Sequence, residues 1–275
     1  MNVAFSILHA THRREPSPLL LKQEWLDRAD DPSAVDYIFS MDGDDALSVA
    51  RTVGHKRVIG TPLPGTVTSV RNWNAAAHVS VGAVLIVIAD DLFPSPGWDS
   101  TLRAVIGSLD PLKVDFAIKI RDHSARSDTQ LRHPIISRAY YRQYGLFASA
   151  YRGVYCDDDI TMRSFWYSVI LDGKILAFDH RRPVSLTDPH GTLSQRTVNQ
   201  NSEYEYGRRV LVGAWSDRQR TATIRLVPGW LRFAYSGPTL VLFRWVFTGF
   251  ETMLYPARRM RAMLARTLRL LRGMN

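Results

Sequence analysis

Two carboxylates close an apolar run in this 275-residue chain: Val84-Leu85-Ile86-Val87-Ile88 leads through Ala89 into Asp90-Asp91. Neither acid belongs in a core, because a buried carboxylate needs a compensating charge. Paired carboxylates there suit a hard divalent cation, Mg2+ or Mn2+, which takes oxygen ligands and keeps positions open for phosphate oxygens. The plain alternative is a helix start, since the Pro94-Ser95-Pro96-Gly97 turn leads toward Trp98 and acids favour helix N-termini. A second cluster, Asp157-Asp158-Asp159, follows Cys156. Three consecutive carboxylates repel one another, so at least one is expected to have a raised pKa or a cation partner. Here the alternative is an acidic first turn of a helix running through Met162 and Trp166. Asp42-Gly43-Asp44-Asp45 forms a third acidic group, and His190 lies in a loop between Pro189 and Gly191. His180, beside Arg181 and Arg182, reads as a surface residue.

The elements that must position these groups alternate in type. Residues 3–8, 37–41, 56–59 and 84–88 read as strands, the last a β-branched run suited to burial on both faces. Between them, Ser17-Pro18 offers an N-cap and a first-turn proline for a helix toward Asp30, and residues 69–80 are helix-like around Ala75-Ala76-Ala77. Strand–helix repetition at this spacing predicts a parallel sheet with helices on both sides, whose ligands bind beyond the carboxyl ends of the strands. Thr11, His12 and Arg13, then Asp42 to Asp45, then Asp90 and Asp91 are the polar residues at those ends. Past Ile120, residues 121–133 read as a polar mobile loop. Residues 137–144, 159–168 and 201–215 read as helices, 175–178 as a strand and 187–200 as a loop.

Composition is that of a globular chain, 45% hydrophobic and 22% charged. It excludes collagenous, low-complexity and wholly disordered classes. One cysteine forms neither an internal disulfide nor a cysteine-rich zinc site. The net charge of +9 is uneven: from Arg225 onward there are nine arginines, no lysine and one acid, Glu251. A basic tail on a nearly neutral body argues against a nucleic-acid-binding body. At ~100° per residue, Met260, Met263, Leu264, Leu268, Leu270 and Leu271 fall on one arc of about 160°, opposite Arg258, Arg259, Arg261, Arg266, Arg269 and Arg272. Such segregation, with Trp230, Phe233, Tyr235, Trp245, Phe247 and Phe250 upstream, predicts a helix lying on anionic lipid. No secretory signal or clean spanning helix is visible, so the expectation is a cytoplasmic protein held peripherally at a membrane by its C-terminal tail. The expected domains are 1–224, with halves at about 1–120 and 121–224, and the tail 225–275.

Taken in order, these segments resemble the inverting family-2 glycosyltransferases of GT-A fold, over residues 3–196. Arg71-Asn72 before the 84–91 run, with Pro94 and Pro96-Gly97-Trp98 after it, is similar to that family's Arg-Asn helix start, DxD strand and P…GW turn. Ala10-Thr11-His12-Arg13 is similar to its PTYNR turn, and Asp42-Gly43-Asp44-Asp45 to its DDGS turn. Asp157-Asp158-Asp159-Ile160 with Arg163 is similar to its ED-x-DL-x-x-R segment. Ala89 stands where the first DxD acid is usual, Ala10 where a proline is usual, and Met41 where an aspartate is usual.

The resemblance implies an α/β GT-A (Rossmann-like) fold, a mostly parallel central sheet flanked by helices, with the amphipathic helical appendage behind it. It implies a nucleotide diphosphate-sugar donor held by Thr11, Arg13, Arg71, Asn72, Asp90 and either Asp42 or Asp44. Mn2+ or Mg2+ would sit on Asp91, with His190 as a further ligand. Asp157, or Asp158 if the register slips by one, would deprotonate the acceptor hydroxyl. The acceptor would be a saccharide or glycolipid for surface polysaccharide or glycolipid synthesis, and no nucleic acid is involved. Two alternatives are a sugar-phosphate nucleotidyltransferase, although the first turn lacks a Gly-rich phosphate loop, and a catalytically degenerate membrane-bound adaptor.

Overall fold

The computed structural model describes residues 4–12, 17–122, 130–167, 169–180, 197–198 and 200–221. The expected tail at 225–275 lies outside them.

Strands β1 (Phe5–Ala10), β2 (Val35–Asp42), β3 (Arg57–Gly60) and β4 (Val84–Ile88) alternate with helices α1 (Pro18–Asp27), α2 (Ala46–Arg51) and α3 (Ser69–Val79). Then come β5 (Leu92–Phe93), α4 (Trp98–Ile106), β6 (Phe116–Arg121), β7 (Ile135–Ser137), α5 (Arg138–Tyr144), α6 (Cys156–Tyr167), β8 (Val169–Ala177), β9 (Asp179–His180) and α7 (Asn201–Thr221). Seven strands form one sheet in the order β3-β2-β1-β4-β7-β6-β8, and β5 pairs with β9 in a two-stranded ribbon. Within the large sheet only β7 runs against its neighbours. The mostly parallel, helix-flanked α/β sheet expected from the strand–helix alternation is present.

Local chemistry explains the elements. Ser17 Oγ accepts the Leu19 N–H ahead of Pro18, closing the first turn of α1. Every residue of β4 is buried, as its unbroken apolar run requires. On one sheet face Phe5, Ile7, Phe39, Met41, Ile86 and Ile88 pack with Trp25 of α1 and Trp98 of α4. Trp25 and Trp98 meet edge to face at 5.2 Å, and Trp25 meets Phe178 at 5.1 Å. Each indole spends its N–H on a carbonyl, Trp25 on Leu92 and Trp98 on Trp25. Those bonds anchor the chain directly after Asp90-Asp91. On the other face α3 lies over β1, β2 and β3, with Ala76 and Ala77 fully buried.

The helix that follows the acidic pair is capped by Gly97, in the left-handed region at φ 63°. Asp90 and Asp91 therefore do not start a helix, and the N-cap alternative falls.

Candidate active site

Register levels the strand ends. Ala10 pairs with Ser40 and His9 with Ile88, so β1, β2 and β4 finish side by side. Thr11, Asp42 and Asp90-Asp91 thus converge on one edge, at the switch between outward-running strands where such sheets hold ligands.

Asp42 is the anchor of the first half of that edge. Its carboxylate accepts from the Thr68 hydroxyl, from Arg71 Nη2 at 2.5 Å and from Asn72 Nδ2 at 3.3 Å. Asp42 lies opposite Gly60 in the sheet, and a Cβ at Gly60 would come within 3.2 Å of Arg71 Nη2 and 3.3 Å of Asn72 Oδ1. Glycine there leaves the room that the cluster occupies. Asp44 is exposed, and Asp45 caps α2 by accepting from Ser48 N–H. Arg71 is thereby paired with Asp42. Around this cluster Thr11 Oγ1, Ser40 Oγ, Arg71 Nε and Asn72 Oδ1 are buried without hydrogen-bond partners among the described residues. Each such group costs about 1–3 kcal/mol, which a polar ligand carrying donors and acceptors would offset.

Asp90 is held by a chain of buried residues that sequence inspection does not find. Its Oδ1 lies 2.8 Å from His9 Nε2, and its Oδ2 accepts the His12 backbone N–H at 3.3 Å. Because a carboxylate only accepts, Nε2 carries a proton toward Asp90, and Nδ1 lies 2.9 Å from the Tyr37 hydroxyl. Burial, then the charge of Asp90, pushes the Tyr37 phenol well above its usual pKa, so it remains a donor. The only signal in the sequence was a histidine inside an apolar strand.

Asp91 points elsewhere, with Oδ2 3.2 Å from His180 Nε2. His180 closes β9 against β5, pairing with Leu92. It is therefore part of the edge, and the surface expectation for it was wrong because the two-stranded ribbon was not foreseen. His133 stacks edge-on to His180 at 5.4 Å. Asp122 lies beside them and forms a 3.0 Å ion pair with Arg132. His133 is buried, and among the described residues neither ring nitrogen has a hydrogen-bond partner. Desolvation, then the field of His180, holds its pKa down to about 4 against the opposing pull of Asp91 and Asp122, and Arg132 lowers it further. The segment expected as a polar loop at 121–133 thus carries buried Asp122, Leu131 and His133.

The acidic triplet occupies the first turn of α6, where the helix dipole favours it. Its members differ. Asp159 is fully buried and paired with Arg163 at 2.8 Å, whose other nitrogens donate to the Tyr144 and Leu146 carbonyls. Asp158 accepts the Gln130 side-chain N–H. Asp157 is half-buried, and its carbonyl accepts from Thr161. Tyr155, just before the helix, has φ 68°. A non-glycine in the left-handed region stores strain of the kind found at functional sites. Cys156 is buried, and desolvation, then the field of Asp157, pushes its thiol pKa well up.

Residues 130–133 tie the two acidic regions together. Gln130 reaches Asp158, Leu131 N–H donates to Thr161 Oγ1 at 2.8 Å, and His133 faces His180. Three residues of chain span at most about 11 Å, so α6 begins close to the Asp91 cluster. A second tie runs from Val70 N–H and Ser69 Oγ of α3 to the Arg152 carbonyl. Arg13 and His190, both expected to contact the donor or its metal, lie outside the described residues.

No protein-family profile and no curated protein matches the chain. Solved structures do. Residues covering 80% of the chain align with 44% of TarS from S. aureus at 14% identity and TM-score 0.51. The chain therefore spans less than half the length of that protein. GalNAc-T7, solved with UDP, GalNAc and Mn2+, aligns over 80% of this chain and 54% of its own at 11% identity and TM-score 0.53. The mannosyltransferase PcManGT from Pyrobaculum calidifontis, solved with GDP-Man and Mn2+, aligns over 96% and 85% at 10% identity and TM-score 0.51. At such identities the likeness is one of fold: the chain has the mostly parallel α/β architecture of GT-A glycosyltransferases.

Proposed function

We propose that the chain is an inverting, metal-dependent glycosyltransferase that moves a sugar from a nucleotide diphosphate to an acceptor hydroxyl. The observation that carries this is the convergence of three groups on one sheet edge. They are the Asp42–Arg71–Asn72 cluster with its unpartnered polar atoms, Asp91, and the acidic start of α6. Similar folds solved with UDP-GlcNAc, with UDP and Mn2+, and with GDP-Man and Mn2+ support it.

In this proposal Asp42 accepts an N–H from the base, and Thr11 and Asn72 complete the polar contacts of the nucleoside. Asp90, fixed by His9 and His12, orients the strand end and faces the ribose. Asp91 supplies a carboxylate oxygen of the type that Mn2+ and Mg2+ prefer, and His180 a nitrogen beside it. When bound, such an ion neutralises the charge that develops on the departing nucleoside diphosphate. Asp157 takes the proton of the acceptor hydroxyl as its oxygen bonds to the anomeric carbon and the bond to the diphosphate breaks. Attack opposite the leaving group inverts that carbon.

Calorimetry with UDP, GDP and TDP, each with and without Mn2+, tests the proposal. Metal-dependent diphosphate binding, weakened at least tenfold in Asp91→Ala and in Asp42→Ala, is the expected result (each lost charged contact is worth roughly 1.5–3 kcal/mol). Preference for triphosphates with pyrophosphate release would point instead to nucleotidyl transfer, and silence throughout to an adaptor. The basic aromatic tail at 225–275 would place this chemistry at a cytoplasmic membrane surface, against a saccharide or glycolipid acceptor. No helix among the described residues is long and apolar enough to cross a membrane. Full-length protein should sediment with anionic liposomes, and protein truncated after Tyr255 should not; equal sedimentation would remove the membrane role.

A further inference from the structure

Asp122 and His133 have no task in the chemistry above, and they stand beside His180 and Asp91. Asp122 follows the carboxyl end of β6, His133 precedes β7, and His180 ends β9. Each offers one ligand atom, and these atoms all lie within 4.8 Å of one another. Ligands around one tetrahedral ion at ~2.1 Å are ~3.4 Å apart, so side-chain rotations that draw the atoms together by about an ångström would close the set. His133 is the telling member, only 8% exposed and with both ring nitrogens unpartnered among the described residues. A buried polar ring left bare is costly unless something else fills it. Asp122 is already oriented by Arg132, and His180 by Asp91, which is how outer partners fix metal ligands.

The geometry points to a transition-metal site in which Asp122, His133 and His180 bind a first-row divalent ion, with Asp91 as the adjoining carboxylate. Two imidazoles and a carboxylate suit Zn2+, Mn2+ or Co2+, whereas Mg2+ prefers oxygen alone. The ion's role toward a donor diphosphate rests on the proposed function; its binding does not. Residues just after β6 and on the approach to β7 would thereby make the cation preference of this edge differ from that of a carboxylate-only site.

The test is calorimetry of the full chain with MnCl2, ZnCl2 and MgCl2 in the absence of nucleotide, with pulsed electron paramagnetic resonance on the Mn2+ sample. One equivalent of Mn2+ or Zn2+ should bind, Mg2+ should bind roughly tenfold more weakly or not at all, and the Mn2+ echo should carry imidazole nitrogen modulation. His133→Gln and His180→Gln should each weaken binding by roughly tenfold or more and remove part of that modulation. His180 is half-buried on a two-residue strand, so H180Q keeps the test decisive if H133Q does not fold. Metal binding indifferent to both variants, or free of nitrogen coupling, overturns the site. That result alongside Asp42-dependent UDP binding would remove this site and leave the transferase proposal standing. Metal binding without any nucleotide affinity would do the reverse.

Discussion

Turnover should fall by about 10²–10⁴-fold when Asp157 is replaced by Asn, the range expected for loss of a general base, with affinity for the nucleoside diphosphate unchanged within a few-fold. The three acids at the start of α6 are chemically distinct. Asp159 is sealed against Arg163 and has no access to a substrate. Asp158 already accepts from Gln130. Asp157 is half-buried at the helix start, next to the left-handed Tyr155. Asn keeps the shape and removes only the capacity to take a proton, so steady-state rates and nucleotide titrations on the same sample separate the roles. Asp158→Asn should cost less than tenfold, the scale of a single neutral hydrogen bond. Weakened nucleotide binding in Asp157→Asn would move that residue to the donor site, and a larger rate loss in Asp158→Asn would exchange the two.

Arg163→Met should destabilise the fold by about 3–5 kcal/mol, the cost of leaving a buried carboxylate without its partner. The pair is nearly inaccessible, and the guanidinium also donates to two carbonyls ahead of α6. Burial alone would lower the Arg163 pKa; Tyr140 and Asp159 outweigh it, and the net shift is upward. The arginine therefore stays charged, and its loss strands Asp159. The melting temperature should drop by roughly 6–20 °C. The double variant Asp159→Leu, Arg163→Met should recover much of that, because apolar replacement of both partners is often close to neutral. A single variant as stable as the parent would show that the pair does not hold α6 in place.

Strand β4 and helix α3 were legible almost to the residue, because an unbroken β-branched run and a small-residue amphipathic stretch each have one stable solution. Helix α6 begins at Cys156 rather than Asp159, so the alternative of an acidic first turn for Asp157-Asp158-Asp159 is the arrangement present. Strands β6 and β7 were missed: β7 has three residues, and its pairing with β4 and β6 is tertiary. The same physics explains the site. Asp42, Asp90 and Asp91 stand at strand ends and could be read from local pattern. The Tyr37–His9–Asp90 chain and the His133–His180 contact join residues far apart in sequence, and only His9, a polar ring within an apolar run, hinted at the first.

A structure of the full chain with UDP or GDP and Mn2+, with the metal located by its anomalous signal, tests the central claim most directly. The base should lie on Asp42, the diphosphate and the ion beside Asp91, and the Asp157 carboxylate should face the space where a sugar would stand. A nucleotide seated away from the ends of β1, β2 and β4, or Asp157 turned from that space, would contradict it.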